Sequence, residues 1–181
     1  MQQKKGQSGF SLIELLIVVA IIGIIAAIAI PNLLASRRAA NEGSAQQSLR
    51  TIHSSEATYQ ATAGNGNYGT LAQLGPDATR PGGVAGGQNL IDGVLSNATT
   101  AANAKSGYIY SVVPVAAVAG VSLAQFHATA NPGVSAAGIM QTGTRRFGIA
   151  EDGVVRGDNT AASLGTAYTR VTLDQASAIG N

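Results

Sequence analysis

The sequence predicts an α+β protein, in which one long amino-terminal α-helix packs on a carboxy-terminal antiparallel sheet of three or four strands. Three observations lead to this fold class. Residues 10–30 form an apolar run with a single charge, residues 32–63 show an amphipathic helical pattern, and residues 108–156 hold short β-branched segments separated by turn residues.

Composition narrows the functional classes. The chain has 181 residues, which allows one domain and an appendage. It has no cysteine, two histidines and a formal net charge of +2. Disulfides, thiolate metal sites and cysteine nucleophiles are therefore excluded. Because no Lys/Arg cluster exceeds two residues, we expect no specific binding of nucleic acid.

The apolar run predicts a membrane segment. As a helix, residues 10–30 would rise about 32 Å, which matches a hydrocarbon core of about 30 Å. One interpretation is a cleaved secretory signal, with Ala27 and Ala29 as the small residues of its cleavage site. The other is a retained transmembrane helix, for which Pro31 marks the end of the span.

Glu14 is the single charge within this run. A carboxylate in a spanning helix costs roughly 2.5–3.5 kcal/mol, so Glu14 should have a partner or lie at headgroup depth. No cation lies within one helical turn. Cleavage after Gly9 would create an amine on Phe10, four residues before Glu14, in the same chain or in a neighbouring copy.

The stretch GFSLIELLIVVAIIGIIAAIAIPN, residues 9–32, closely resembles the amino terminus of type IV pilins and of type II secretion pseudopilins. The resemblance implies that residues 1–9 are a basic leader, that a prepilin peptidase cleaves after Gly9, and that the same enzyme N-methylates Phe10. It implies that Glu14 docks one subunit onto another. It also implies a kink or unwinding of the helix between Gly23 and Pro31.

The function implied is that of a structural subunit. Residues 10–31, here called the stem, would be transmembrane before assembly and would form the core of a type IV pilus filament afterwards. The alternative is a pseudopilin of a type II secretion system. Expected partners are other copies, the peptidase and the inner-membrane assembly machinery. We expect an inner-membrane pool with the carboxyl terminus outside the cytoplasm, then an extracellular pilus, and neither enzymatic activity nor a cofactor.

The helix should continue beyond the stem. An apolar stripe with steps of four, three, four and three residues runs through Ala45, Leu49, Ile52, Glu56 and Tyr59. The glycine-rich residues 63–66 predict the end of the helix. The globular region, residues 64–181, then begins with a variable loop region over residues 64–107.

Strands are predicted over residues 108–113, 123–130, 146–150 and 154–156. Pro114 should end the first strand, and Asp152-Gly153 should form the turn of a hairpin. Residues 157–181 form a tail whose pattern allows a short helix over residues 173–179.

Other candidate sites are weak. Asp152, Asp158 and Asp174 offer oxygen ligands, but their spacing fits no standard calcium loop, so we expect solvated carboxylates. His53 and His127 are expected on the surface or at filament contacts.

Three further motifs carry little information about function. Residues 64–69 match G-x-G-x-x-G without the strand that a dinucleotide site requires. Asn97 begins a glycosylation sequon that we interpret as ordinary loop. Arg37 and Arg38 could contact anionic headgroups or acidic neighbours, or remain solvated.

Overall fold

The computed structural model describes residues 10–79, 83–160 and 163–179, and the chain divides after Ser36 into two compact units. Four α-helices, a 3₁₀ turn and five strands follow in order: α1 Leu12–Ala61, α2 Leu71–Leu74, α3 Gly93–Ser96, the 3₁₀ turn Ala101–Asn103, β1 Tyr108–Val115, β2 Gln125–Pro132, β3 Arg146–Ala150, β4 Arg156–Asp158, α4 Arg170–Asp174 and β5 Ser177–Ala178.

The second unit, residues 37–181, is here called the folded unit. Its core forms where the predicted stripe of α1 meets the sheet. Leu49 and Ile52 on the helix are fully buried in one cluster with Tyr108, Phe126 and Phe147 from β1, β2 and β3. The α+β fold class is confirmed, because both the helix stripe and one face of the sheet need apolar partners.

The sheet is antiparallel throughout, and its spatial order is the chain order, β1 to β5. It has five strands, where three or four were predicted. The additional strand, β5, has two residues. Its residues show no β-branched alternation, and they pair because the preceding helix α4 returns the chain to the edge of β4.

Both edges of this sheet carry features that limit further pairing. On β1, the backbone of Tyr108 bonds Lys105, the amide of Tyr110 donates to Ala98, and Pro114 has no amide proton. Contrary to the prediction, β1 continues through Pro114 to Val115. It can do so because β1 is an edge strand, where a proline removes no hydrogen bond to a neighbouring strand.

Two other predictions of local structure were wrong. The predicted helix over residues 173–179 is replaced by α4 and β5. The strand predicted over residues 154–156 begins only at Arg156. Residues 64–107 contain α2, α3 and the 3₁₀ turn, with α2 and α3 starting at the side-chain caps Thr70 and Asp92.

Candidate assembly site in the amino-terminal helix

The stem presents its apolar side chains outward. Its large aliphatic side chains from Leu12 to Ile30 are between 47% and 80% exposed within the chain. α1 is long and apolar enough to cross a membrane, and no residue of its most apolar window is buried. A core helix would be covered by its own chain, whereas an exposed apolar surface of this size marks a site of interaction with a membrane or another protein.

A hydrogen bond between a side chain and the backbone caps the start of the helix. Ser11 precedes the first helical residue, Leu12, and its backbone N–H donates to Glu14 Oε2 at 3.0 Å. The Leu15 N–H donates to the Ser11 carbonyl at 3.2 Å. Glu14 therefore satisfies an amide that has no partner within the helix. Sequence analysis missed this role, although Ser-x-x-Glu before an apolar run is its known signature.

The geometry bears on the proposed pairing of Glu14 with a new amine. Gly9 and the leader, residues 1–9, lie outside the described residues. Phe10 is 80% exposed and precedes the first helical residue, Leu12. A carboxylate has about four lone-pair sites. The Ser11 contact therefore leaves acceptor capacity for an amine from a neighbouring copy.

Gly23 and Pro31 both lie inside α1, which has no break in its assigned helix between Leu12 and Ala61. A Cβ atom added at Gly23 would meet nothing within 4 Å, so this glycine is not required by local packing. A glycine costs about 1 kcal/mol relative to alanine in a helix, and proline removes a hydrogen bond. Unwinding between the two on assembly stays a prediction.

Where α1 enters the folded unit, its polar residues bind the connection between β2 and β3. Arg38 Nη2 donates to the Gly138 carbonyl at 2.6 Å, and Asn41 Nδ2 donates to the Thr142 carbonyl at 2.9 Å. The carboxylate of Glu42 accepts from the backbone and hydroxyl of Thr144 and from Arg145. Arg38 is thus engaged within the chain, and Arg37 is the exposed member of the pair.

Glu56 is a buried carboxylate with a single hydrogen bond among the described residues. It is fully buried, and its Oε2 accepts from the Gly69 N–H at 2.8 Å, while Oε1 has no hydrogen-bond partner. Burial raises the pKa of Glu56 to about 7, and the Gly69 hydrogen bond opposes that rise. This carboxyl fixes the loop after α1 against the helix.

His127 is buried in the folded unit, so a surface position was the wrong prediction for it, whereas His53 is partly exposed and its role as a surface or filament-contact residue stays a prediction. His127 lies buried on β2, where burial lowers the pKa of its imidazole. His53 Nε2 lies 3.2 Å from the Glu151 carbonyl, and its ring is 6.0 Å from that of Phe126. His53 thereby links α1 to the turn that follows β3.

The three candidate calcium ligands are instead paired with arginines. Asp152 pairs with Arg156 at 2.6 Å, Asp158 with Arg146 at 3.1 Å, and Asp174 with Arg170 at 3.1 Å. Hydroxyls of Thr160 and Ser163 and the Arg146 guanidinium hold the pKa of Asp158 well below its usual range. Within the described ranges, no three His, Cys, Asp or Glu side chains form a metal-binding group.

The glycine motif is a helix stop. The Gly64 N–H donates to the Tyr59 carbonyl at 2.7 Å, and the Gly66 N–H donates to Gln60. Gly66 has a φ of 87°, and a Cβ on Gly64 would lie 2.0 Å from the Asn67 carbonyl oxygen. These constraints require glycine for geometric reasons. Asn97, in the sequon, uses Nδ2 to bond the Gly93 carbonyl and cap α3.

Comparison with known proteins finds a family motif at the amino terminus of the chain. Residues 4–30 match the family model of the prokaryotic N-terminal methylation motif. The chain carries the methylation motif of prokaryotic prepilins, and its amino-terminal part is homologous to type IV pilins.

Three curated relatives are similar to part of the chain. The type IV wide pilus major component PilA4 of Thermus thermophilus is 63% identical over 38 residues, 21% of this chain and 29% of the relative. The type IV major pilin protein PilA of Myxococcus xanthus is 45% identical over 51 residues, which are 28% of this chain and 23% of the relative. The type II secretion system core protein G of Aeromonas hydrophila is 34% identical over 71 residues, which are 39% of this chain and 48% of the relative.

The chain spans less than half the length of each of these relatives in the matched regions. No solved structure matches the chain significantly. The family model places the similarity to known proteins in residues 4–30, at the amino terminus.

Proposed function

We propose that this protein is a structural subunit that polymerises through its stem into a type IV pilus filament. The observation that carries the proposal is the coincidence of two features in the same residues. The methylation motif covers residues 4–30, and the apolar side chains of that segment are exposed. A bundle of identical stems would supply the apolar surroundings that water cannot.

Processing precedes assembly in this proposal. A prepilin peptidase cleaves after Gly9 and methylates Phe10, and the subunit waits in the inner membrane with its carboxyl terminus outside the cytoplasm. Loss of Lys4 and Lys5 leaves nine basic and nine acidic residues, so the mature chain is formally neutral. The inner-membrane pilus machinery then moves the subunit from lipid into the filament.

Glu14 supplies the docking contact. Its carboxylate accepts one hydrogen bond from the Ser11 N–H of its own chain and a second from the methylated amine of Phe10 in a neighbouring copy. Because an unpaired carboxylate is costly in a medium of low dielectric constant, the pair sets the register of the stems more than it adds net stability.

The subunit has no enzymatic role in this proposal and requires no cofactor. The names of the relatives describe a pilus component, a pilin and a core protein of a secretion system. Adhesion, motility and DNA uptake are the kinds of role that a filament of this class would serve.

Two measurements test the proposal. Electron microscopy of fibres sheared from cells, with mass spectrometry of their subunits, should show long filaments built of residues 10–181 plus one methyl group. A mature terminus at Ile30 would instead establish a secretory signal, and cells without fibres containing this chain would refute the filament role.

A pseudopilin of a type II secretion system is the second candidate. The match to core protein G covers 48% of that relative, a larger share than either pilin match covers. Deletion of the gene separates the two: loss of surface fibres with normal protein secretion supports the pilin, and the reverse supports the pseudopilin.

A further inference from the structure

A cavity of about 160 Å³ lies on the outer face of the sheet, which is the face opposite to the one that packs on the helix stripe. Side chains alternate between the two faces of a strand. Tyr108 and Tyr110 of β1 are buried in the core with the helix, so Ile109 and Ser111 lie on the outer face, where both line the cavity. The alternation of β1 therefore supplies the cavity with one apolar side chain and one hydroxyl.

The neighbouring strand, β2, contributes two buried polar side chains. Asn131 pairs with Ile109 and Thr129 pairs with Ser111, and they are 3% and 2% exposed. Asn131 donates through Nδ2 to the Leu164 carbonyl at 3.2 Å. Among the residues that the structure describes, neither the Thr129 hydroxyl nor the side-chain oxygen of Asn131 has a hydrogen-bond partner. Because buried polar groups normally have partners, these two groups are available to a molecule in the cavity.

Small residues leave this space open. Gly165 and Ala167, from the segment that precedes α4, complete the lining together with the exposed Thr99. The hydrogen bond from Asn131 to Leu164 fixes that segment to the sheet. The cavity is therefore a preformed feature of the folded unit, as binding sites for small molecules usually are.

The lining determines the chemistry of a ligand. It contains the hydroxyls of Thr99, Ser111 and Thr129 and the amide of Asn131, and none of the described residues that line it is Asp, Glu, Lys, Arg or His. A charged ligand would lose its hydration without gaining an opposite charge, so the lining favours a neutral one. Hydroxyl groups both donate and accept, so a ligand with several hydroxyls of its own can pair with them.

The dimensions indicate a ligand with a single ring. Pockets for drug-sized ligands have volumes of about 300 Å³ or more, roughly twice the volume of this cavity. Directly opposed side chains on neighbouring strands, such as Ser111 and Thr129, have Cβ atoms about 4.5–5.5 Å apart. Hydroxyls on one six-membered sugar ring lie close enough together to reach both side chains, and Ile109 offers an apolar contact to the C–H face of such a ring.

We propose that this cavity binds one neutral hexopyranose, as a free sugar or as the terminal unit of a glycan. Ser111 and Thr129 exchange hydrogen bonds with hydroxyls of the ring, and the side-chain oxygen of Asn131 accepts one more. Ile109 packs on the C–H face of the ring. The proposal concerns the folded unit alone and goes beyond the filament role, so failure of one leaves the other standing.

Saturation-transfer difference NMR on the full-length protein, in a detergent without sugar groups, measures this binding. The probes are glucose, galactose, mannose and N-acetylglucosamine, their methyl glycosides, and the charged sugars glucuronate and glucosamine. We expect at least one neutral hexose to bind with a dissociation constant of the order of 1 mM, the range for a ligand of about 12 non-hydrogen atoms. The charged sugars should bind at least about tenfold more weakly. Binding of the methyl glycosides identifies the end of a glycan as the source, and their exclusion identifies a free sugar.

Three variants locate the binding. Thr129→Val keeps the β-branched shape and removes the hydroxyl, so the dissociation constant should rise about three- to tenfold. Ala167→Leu fills the cavity without removing a polar group and should abolish binding. Thr100→Val is the matched control, because Thr100 is exposed, lies outside the lining and makes no capping hydrogen bond, so the affinity should be unchanged. Tyrosine near-ultraviolet circular dichroism checks that each variant is folded.

Three results would overturn the proposal. Absence of saturation transfer to every neutral hexose at about 10 mM, tenfold above the expected dissociation constant, would mean that the cavity holds water only. Equal affinity of the wild type, Thr129→Val and Ala167→Leu would place the sugar elsewhere on the protein. Tighter binding of glucuronate or glucosamine than of any neutral hexose would show a charged site in place of this neutral one.

Discussion

Replacement of Glu56 by glutamine should stabilise the folded unit at pH 8. In the folded protein the pKa of Glu56 is about 7, against 4.5 for a free glutamate side chain. Between these two values the unfolded chain releases its proton first, so the free energy of unfolding falls as the pH rises. At 1.36 kcal/mol for each pKa unit, the loss by pH 8 is about 3 kcal/mol.

Glutamine has the shape of the protonated side chain and can still accept from the Gly69 N–H. Glu56→Gln should therefore match the wild type near pH 4 and exceed it by up to about 3 kcal/mol at pH 8. The difference between the two proteins is the informative quantity, because a second group changes the stability in the opposite direction. Burial lowers the pKa of His127, so its contribution to the free energy of unfolding decreases as the pH falls, whereas that of Glu56 decreases as the pH rises.

Urea unfolding in detergent, followed by tyrosine near-ultraviolet circular dichroism, measures this difference, since all five tyrosines lie in the folded unit. Glu42→Gln is the matched control: that carboxylate is also buried, but it has Arg145 and Thr144 as partners, so its loss should destabilise at pH 8. A difference between Glu56→Gln and wild type that stays constant from pH 5 to 8 would refute the reasoning.

Three further predictions concern assembly and the end of the helix. Glu14→Gln should be processed normally but give few sheared filaments relative to membrane-bound protein; wild-type yield would exclude Glu14 from docking. Gly64→Ala should lower the urea midpoint. Gly43 is an exposed helical residue at which an added Cβ would meet nothing within 4 Å, so Gly43→Ala should raise the free energy of unfolding by up to about 1 kcal/mol. Equal effects of the two substitutions would contradict the helix-stop geometry. A chain starting at residue 35 should be soluble and should not polymerise, and fibres formed from it would refute the role of the stem.

Local patterns predicted the parts of the fold that depend on local chemistry. The bounds of β3 were predicted correctly, and the Asp152-Gly153 turn has its glycine at a φ of 71°. The helix stripe was also correct, including Glu56, whose charge made it look like an interruption. The environment of that carboxyl was unpredictable, because it depends on a loop that packs over it.

The failures share one cause: they depend on neighbours in space. Pro114 is compatible with β1 only because β1 is an edge strand, and the sequence does not state which strand is at the edge. His127 alternates with small residues, so nothing local showed that both faces of β2 are covered. The Ser11–Glu14 hydrogen bond was different, since its Ser-x-x-Glu signature was present and its significance was obscured by the apolar run.

The blocked edges of the sheet have a consequence for crowding. In a fibre, or in a dense membrane pool, folded units are held at a local concentration far above that of free protein, where open strand edges of different chains would join into a continuous cross-β stack. Pro114, the bonds that Lys105 and Ala98 make to β1, and the shortness of β5 leave an approaching strand too few amide partners for such a stack to start. If the chain assembles through its stem as proposed, its folded units could be packed tightly without joining into an amyloid through their sheets.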